Sequence, residues 1–167
     1  AVWHLDEIGD GTADEYKDST GNGNHGQGGA GTPTAVPTQA ASQIGSGQSC
    51  DGGDWIDIPQ PIVSVAALTL SAWIAPSTSA DMVGKWNHWL NPGGSKQMFL
   101  RFTNAQFSVR NASDTAEGIA TAGASAGAGW HFVASQATGT HLRSSVDLSY
   151  GSDVAFAGPY VPPTTDH

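Results

Sequence analysis

The chain has 167 residues, about the length of one average domain, and only 13% of them are charged. Fifteen acidic residues against six lysines and arginines give a formal net charge of −9 at pH 7, which disfavours binding to nucleic-acid phosphates and to anionic lipid. No apolar run approaches the length of a membrane span, so the sequence predicts neither nucleic-acid binding nor membrane insertion.

Short runs in which apolar and polar residues alternate predict β-strands along most of the chain. The first candidates are residues 2–6, 47–50 and 55–58, and in the next run Leu68, Leu70, Ala72 and Ile74 share one face. The later candidates are residues 81–85 and the runs with Met98, Leu100 and Phe102, with Phe107 and Val109, with Trp130, Phe132 and Ala134, and with Leu142, Ser144 and Val146. Turn-forming residues separate these runs, which is typical of an all-β antiparallel sandwich.

Two segments lack this alternation. Residues 9–38 are rich in glycine, asparagine, aspartate and threonine, and a loop of that length in a compact domain is either functional or loosely ordered. Residues 159–167 form a proline-rich tail or connection. The predicted organisation is therefore one domain over residues 1–158, followed by the tail.

Several short segments also match a known pattern. They are residues 2–6 (VWHLD), 18–26 (DSTGNGNHG), 44–58 (IGSGQSCDGGDWIDI), 68–76 (LTLSAWIAP), 84–86 (GKW) and 129–134 (GWHFVA). In order and approximate spacing they resemble bacterial laminin-G-like (LamG) jelly-roll domains, a family of the concanavalin A-like lectin/glucanase superfamily. The resemblance covers about residues 1–150 and implies an antiparallel jelly-roll sandwich of two facing sheets.

The chain departs from that family in two places. Cys50, which we predict to be a buried structural residue, stands where the family usually carries a large aromatic residue. The family usually ends with an acidic strand that closes the sandwich, and this chain reaches His167 without one. The expected fold is therefore a jelly roll that lacks its closing C-terminal strand, either because the chain is a fragment or because a neighbouring chain adds the strand by β-augmentation.

Carboxylates are too scattered for a glycoside hydrolase. A retaining glycosidase needs two carboxyl groups about 5–5.5 Å apart, but Glu7, Glu15 and Glu117 are far apart in the sequence, and Asp54 and Asp57 fall on opposite faces of a strand. No nucleophile motif is present either. The sequence therefore predicts a protein that is not an enzyme.

The segment around Asp18 offers the oxygen ligands that calcium prefers. Asp18, Asn22 and Asn24 lie in a glycine-punctuated loop, with Asp10 and Asp14 nearby, and calcium takes about six to eight carboxylate, amide and carbonyl oxygens. These three residues are our candidate metal ligands, and calcium is the candidate cofactor. The alternative is turn chemistry, in which the Asn and Asp side chains hydrogen-bond to the nearby backbone.

Residues 85–91 hold the best candidate sugar site, because two tryptophans, a histidine and asparagines precede a Pro-Gly-Gly turn. Aromatic rings offer an apolar face, and planar polar groups next to them can hydrogen-bond to hydroxyls. The candidate ligand-binding residues are Trp86, His88 and Trp89. The alternative for Trp86 is packing within the strand, as the resemblance implies.

Together these observations predict a non-catalytic extracellular or cell-surface module that binds a polysaccharide or glycan or mediates adhesion. The low charge, the few lysines and the many small polar residues favour that location. The alternative is a structural subunit of a surface layer, filament or adhesin, completed by a strand from a neighbouring chain. A third hypothesis, a glycoside hydrolase, is disfavoured because the carboxylates are scattered along the sequence. The preference for a sugar ligand rests on analogy of fold.

Overall fold

The computed structural model of the protein describes residues 1–59, 65–76, 81–86, 96–101, 104–111, 113 and 115–160. The chain divides into two compact units, Ala1–Pro61 and Ile62–His167. All strand pairs in the described ranges are antiparallel, and none of these residues lies in an α-helix. In the same ranges no helix is long and apolar enough to span a membrane. The predicted all-β antiparallel class is confirmed, as a set of open sheets.

The first unit contains short strands joined in two separate two-stranded sheets. They are β1 (Gln27–Gly28), β2 (Thr38–Ala41), β3 (Ser46–Ser49) and β4 (Ile56–Asp57). β1 pairs with β4, and β2 pairs with β3 in a hairpin. The predicted strand over residues 2–6 is wrong, because in this segment only Trp3 forms an isolated bridge, with Asp18.

Tyr16 anchors the long segment that the sequence predicts to be a loop. Its side chain is fully buried, its hydroxyl donates to Gln48 Oε1 at 3.2 Å, and its backbone exchanges two hydrogen bonds with Gly26. A Cβ atom at Gly26 would lie 2.6 Å from the Ile56 Cγ2 atom, so only glycine lets the chain approach this closely. Burial and nearby carboxylates, first that of Glu15, raise the pKa of Tyr16 to about 12.

The second unit contains two larger sheets. Its strands are β5 (Leu68–Ile74), β6 (Asp81–Trp86), β7 (Lys96–Arg101), β8 (Gln106–Arg110), β9 (Glu117–Ala120), β10 (His131–Ala137), β11 (His141–Val146), β12 (Ser149–Tyr150) and β13 (Val154–Ala155). The five-stranded sheet has the order β12–β11–β10–β5, with β13 also paired to β11, and the four-stranded sheet has the order β6–β7–β8–β9.

Both sheets of the second unit contribute to one hydrophobic core. Its strand members are Ile74, Met98, Leu100, Phe107, Val109, Ala120, Val133, Ala137, Leu142 and Val146. A buried polar contact joins the sheets, since the Ser144 hydroxyl donates to the Ala105 carbonyl at 2.5 Å. A hydroxyl has one proton, so Ser135 is the donor in its 2.7 Å bond to Ser144.

The shared faces that the alternation predicts for β5, β8 and β11 turn toward the core. In β10 the shared face of Phe132 and Ala134 turns away from it. Val133, Ser135 and Ala137 are buried, whereas Phe132 and Ala134 lie on the opposite face. Both faces of this strand carry apolar residues, so its pairing with β5 and β11 decides which face is inward.

The start of the predicted tail belongs to the second unit. Tyr160 is fully buried in the core and forms bridges with Val65 and Asn111. Its hydroxyl donates to the Phe156 carbonyl at 2.7 Å, and burial raises its pKa. Residues 161–167 lie outside the described ranges. The single domain over residues 1–158 stays a prediction.

Candidate functional site

The outward surface of the five-stranded sheet is the candidate site. Side chains alternate along a strand, so residues between the core positions point away from the core. We call this set the outer face; it consists of Thr69, Ser71 and Trp73 of β5, Phe132, Ala134 and Gln136 of β10, Arg143 and Ser145 of β11, and Tyr150 of β12.

The antiparallel register sorts the outer face into rows that run across the strands. One row is aromatic and pairs Trp73 with Phe132. The opposite row is polar and holds Thr69, Gln136 and Arg143. Between them runs a row of small side chains, Ser71, Ala134 and the buried Ser145, which ends at Tyr150. The low middle row therefore forms a floor between an aromatic and a polar border.

Two aromatic side chains of the outer face, Trp73 and Tyr150, are exposed to solvent although they belong to paired strands. Trp73 is 44% exposed, and its ring centroid lies 5.4 Å from that of Phe132 at an interplanar angle of 54°. Tyr150 is 61% exposed, and three interstrand spacings of about 4.8 Å place its strand about 14 Å from β5. Exposed aromatic residues on one face of a sheet favour a binding surface.

The polar row offers hydrogen-bonding groups without a net charge. Arg143 binds Asp153 at 2.7 Å between Nη2 and Oδ2, and both side chains are about half exposed. Gln136, the neighbour of Arg143 across the strands, is exposed. A guanidinium and an amide are planar groups with several donors and acceptors, so this row can bind hydroxyl groups in a fixed orientation.

Asp147 fixes the position of the aromatic row at the end of the sheet. Its Oδ2 lies 2.7 Å from His131 Nδ1, and its Oδ1 accepts the backbone N–H of Phe132 at 2.9 Å. These two hydrogen bonds lower the pKa of the Asp147 carboxyl, which therefore accepts as a carboxylate. The proton of the His131 contact then resides on Nδ1.

No family model, curated protein or solved structure matches this chain. The laminin-G-like resemblance therefore stays a prediction.

The loop with the candidate calcium ligands is organised around Asp18. Asp18 Oδ1 accepts from the backbone N–H groups of Val2 and Thr20 and from the Thr20 hydroxyl, and Oδ2 accepts from the backbone and side-chain N–H groups of Asn24, all at 2.8–3.1 Å. Asn22 instead donates to Thr20 Oγ1. Burial alone would raise the pKa of the Asp18 carboxyl, but these hydrogen bonds outweigh it and hold the pKa well below its usual value.

This geometry is the turn chemistry that the sequence offered as the alternative. Both Asp18 oxygens already face donors, so a cation would have to displace some of them. Among the described residues, no group of three or more His, Cys, Asp or Glu side chains is placed to hold a metal ion. Calcium binding through Asp18, Asn22 and Asn24 stays a prediction.

The candidate sugar residues of the second unit fall largely outside the described part of the chain. Trp86 is the last residue of β6, and its side chain is not described. His88 and Trp89 lie in residues 87–95, outside the described ranges. Their predicted role stays a prediction.

Two other sequence predictions concern reactive groups. Cys50 is exposed rather than buried, because it lies between the end of β3 and a turn. Partial desolvation and the carboxylates of Asp54 and Asp51 raise the pKa of its thiol, so it is not an activated nucleophile. The three glutamates all accept hydrogen bonds within the fold: Glu7 from Lys17, Glu15 from Asp10, Gly11 and Gly28, and Glu117 from Ser108.

Sequence reasoning did not single out the outer face as a site. The sequence does contain a signal for it, because Trp73 lies on the opposite face of its strand to Leu68, Leu70, Ala72 and Ile74. If these four residues point toward the core, Trp73 must point away from it. The other members cannot be found in this way, because their alignment beside Trp73 depends on the register of three more strands.

Proposed function

We propose that this protein is a non-catalytic carbohydrate-binding or adhesion module that holds a polysaccharide on the outer face of its five-stranded sheet. The observation that carries the proposal is Trp73. It stands nearly half exposed in a regular strand, and its ring packs against that of Phe132 on the outward side of the sheet. Adjacent aromatic rings on a sheet surface favour a ligand that covers them.

The arrangement of the rows fits a sugar chain better than it fits an apolar ligand. A sugar ring has an apolar face that can stack on Trp73 or Tyr150, and hydroxyl groups at its rim. Gln136 and Arg143 supply hydrogen-bonding partners across the floor formed by Ser71 and Ala134. The aromatic groups span about 14 Å across the strands, so the ligand is an extended chain rather than one sugar.

The charge of the site favours a neutral polysaccharide. The Arg143 guanidinium is paired with Asp153, so the polar row carries no free positive charge to attract a polyanion. The chain as a whole has a net charge of −9, which repels polyanions at long range. Uronate-rich or sulfated chains are therefore expected to bind more weakly than neutral ones.

The finer assignments belong to the same proposal. The shared core of the two sheets and the resemblance to laminin-G-like domains support a jelly-roll sandwich. The wide separation of Glu7, Glu15 and Glu117 in the sequence supports a role without catalysis. A low-lysine, acidic composition supports an extracellular or cell-surface location.

Affinity measurements on polysaccharides test the proposal. The purified chain is titrated calorimetrically with neutral β-glucan, mannan and xylan and with acidic alginate, in buffers with calcium and with chelator. We expect a neutral chain to bind, and Trp73→Ala to weaken binding about tenfold or more, which corresponds to about 1.4 kcal/mol. Binding that chelator abolishes would support the calcium prediction, whereas indifference to chelator would remove the metal from the proposal.

Trp55→Ala is the matched control, because Trp55 is 47% exposed but belongs to the first unit. It should leave the affinity unchanged. If both tryptophan variants bind equally well, or if the folded chain binds no polysaccharide of the panel, the outer face is not a carbohydrate site.

A second candidate function is the structural subunit of a surface layer, filament or adhesin. It is favoured by one observation, the edge of β5, which pairs with β10 on one side and with no described strand on the other. A demonstration that the chain polymerises, without affinity for polysaccharides, would favour this function.

A further inference from the structure

The edge of β5 that faces away from β10 has no partner among the described strands, and it differs from the other sheet edges of the second unit. Sheet edges are usually protected from unwanted pairing by shortness, charge or bulges. β6 carries Asp81 and Lys85 and has two irregularities in its register with β7. β9 has four residues and begins with Glu117, and β12 and β13 have two residues each. These described edges are all blunted in one of the usual ways.

β5 has none of these protections. It is seven residues long, contains no charged residue and no proline, and pairs with β10 in an unbroken register from Leu68 to Ile74. A long, regular and uncharged edge is a template on which another strand can pair.

The core is also incompletely covered at this edge. Leu68, Leu70 and Ala72 pack against the core but remain partly exposed. Their partners on β10, which are Ala137, Ser135 and Val133, are buried. A strand added beside β5 would cover these side chains only if it alternated apolar residues toward the same face. β5 itself has this pattern.

We infer that two copies of this chain associate through β5, antiparallel and in one continuous sheet. In such a pair, centred on Ser71, Leu70 of one copy faces Ala72 of the other, and Leu68 faces Ile74, so apolar residues meet on the core side. The other face then joins two outer faces and brings both copies of Trp73 onto one surface. Trp73 of each copy thereby extends the aromatic part of the outer face of the other copy.

The joining of two outer faces has a functional consequence, and this part of the inference rests on the proposed function. A long polysaccharide can occupy both halves at once, and the second contact is intramolecular once the first has formed. The dimer should therefore bind a long polysaccharide more tightly than a short oligosaccharide. The gain in affinity should exceed the gain that a doubled number of sites gives by itself. A pairing along one strand edge buries little area, so dimerisation is expected to depend on concentration.

Sedimentation velocity over a wide concentration range tests the inference directly. We expect a monomer–dimer equilibrium that Ser71→Lys and Ser71→Asp both shift to monomer, because position 71 of one copy faces position 71 of the other and two like charges then lie opposite each other. Ser125→Lys, which adds the same charge in an exposed loop, should dimerise like the wild type. A soluble peptide that copies residues 66–76 should also convert the dimer to monomer.

The outcomes separate the two proposals. A chain that stays monomeric at all concentrations, or a dimer that ignores both edge variants and the peptide, overturns the β5 interface whatever the chain binds. A dimer that responds as expected but binds no polysaccharide leaves the interface standing and removes the proposed function. A monomer that binds polysaccharide through Trp73 does the reverse.

Discussion

The backbone of Phe132 is held by Asp147 from both directions: the Phe132 N–H donates to Asp147 Oδ1 at 2.9 Å, and the Asp147 N–H donates to the Phe132 carbonyl at 2.8 Å. This exchange extends the β10–β11 ladder by one position beyond Val133 and Val146. Asp147 has a φ of +47°, a conformation that asparagine and aspartate tolerate better than other side chains do. One residue therefore ends the strand pair, forms the turn and places the aromatic row.

Substitution of Asp147 tests this role. Asp147→Asn keeps an acceptor for the Phe132 N–H and tolerates the positive φ, whereas Asp147→Ala loses both. We expect the melting temperature to fall by several degrees in Asp147→Ala and by clearly less in Asp147→Asn, and the amide proton of Phe132 to lose protection from exchange only in the alanine variant. Equal melting temperatures for the two variants would contradict this assignment.

The Asp18 network predicts acid sensitivity of the first unit. The pKa of Asp18 is lower in the folded chain than in the unfolded chain, whose value is about 3.9. Its contribution to stability is therefore complete above about pH 5 and is lost as the pH falls below about 4 toward the folded-state pKa. The indole N–H of Trp3 donates to the Asn24 carbonyl at 2.7 Å, so its NMR resonance reports on this loop.

Below about pH 4, we expect the Trp3 indole resonance to move toward its unfolded position in the wild type. In Asp18→Asn the resonance should already be shifted at neutral pH and should change little with acid, because the titrating group is gone. Asp54→Asn is the control, since Asp54 lies in the same unit but takes no part in this network. A wild-type resonance that stays constant down to pH 2 would refute the prediction.

Gly151 predicts a strong local effect of packing. A Cβ atom there would overlap the carbonyl oxygen of Thr121, which is backbone and cannot move aside as a side chain can. Gly151→Ala should therefore lower the free energy of unfolding by about 1–3 kcal/mol, measured by urea denaturation. Gly127→Ala is the control, because nothing lies within 4 Å of its Cβ position, and we expect a change within about 0.5 kcal/mol. Similar losses in both variants would show that the close contact with Thr121 is not the cause.

Local alternation made several strands of the second unit predictable. Side chains on a strand change faces at every residue, so the order of apolar residues in β5, β8 and β11 is enough to decide which face is inward. The same rule leaves the inward face of β10 undecided, because Phe132 and Val133 lie on opposite faces and are both apolar. There the partner strands decide, because only one register aligns Val133 with both Ala72 and Val146.

Residues 9–38 show why composition alone underestimates order. Tyr16 is the only large ring in this segment, yet it is buried through contacts with residues far along the chain, among them Gln48. Asp18 was chosen from the sequence as an oxygen ligand, and its oxygens are in fact taken by donors from Val2, Thr20 and Asn24. A side-chain oxygen has the same chemistry in both roles, and only the folded positions of its neighbours distinguish them.

By itself, then, the sequence determined the all-β antiparallel class, the inward faces of three strands and the acidic, sparsely charged surface, because these follow from composition and from the period of two along a strand. Only the tertiary structure decided the division into two units, the outer face with Trp73 beside Phe132, and the unprotected edge of β5. These depend on which strands lie next to each other and in what register, and strand pairing joins residues too far apart in the chain for any local pattern to specify.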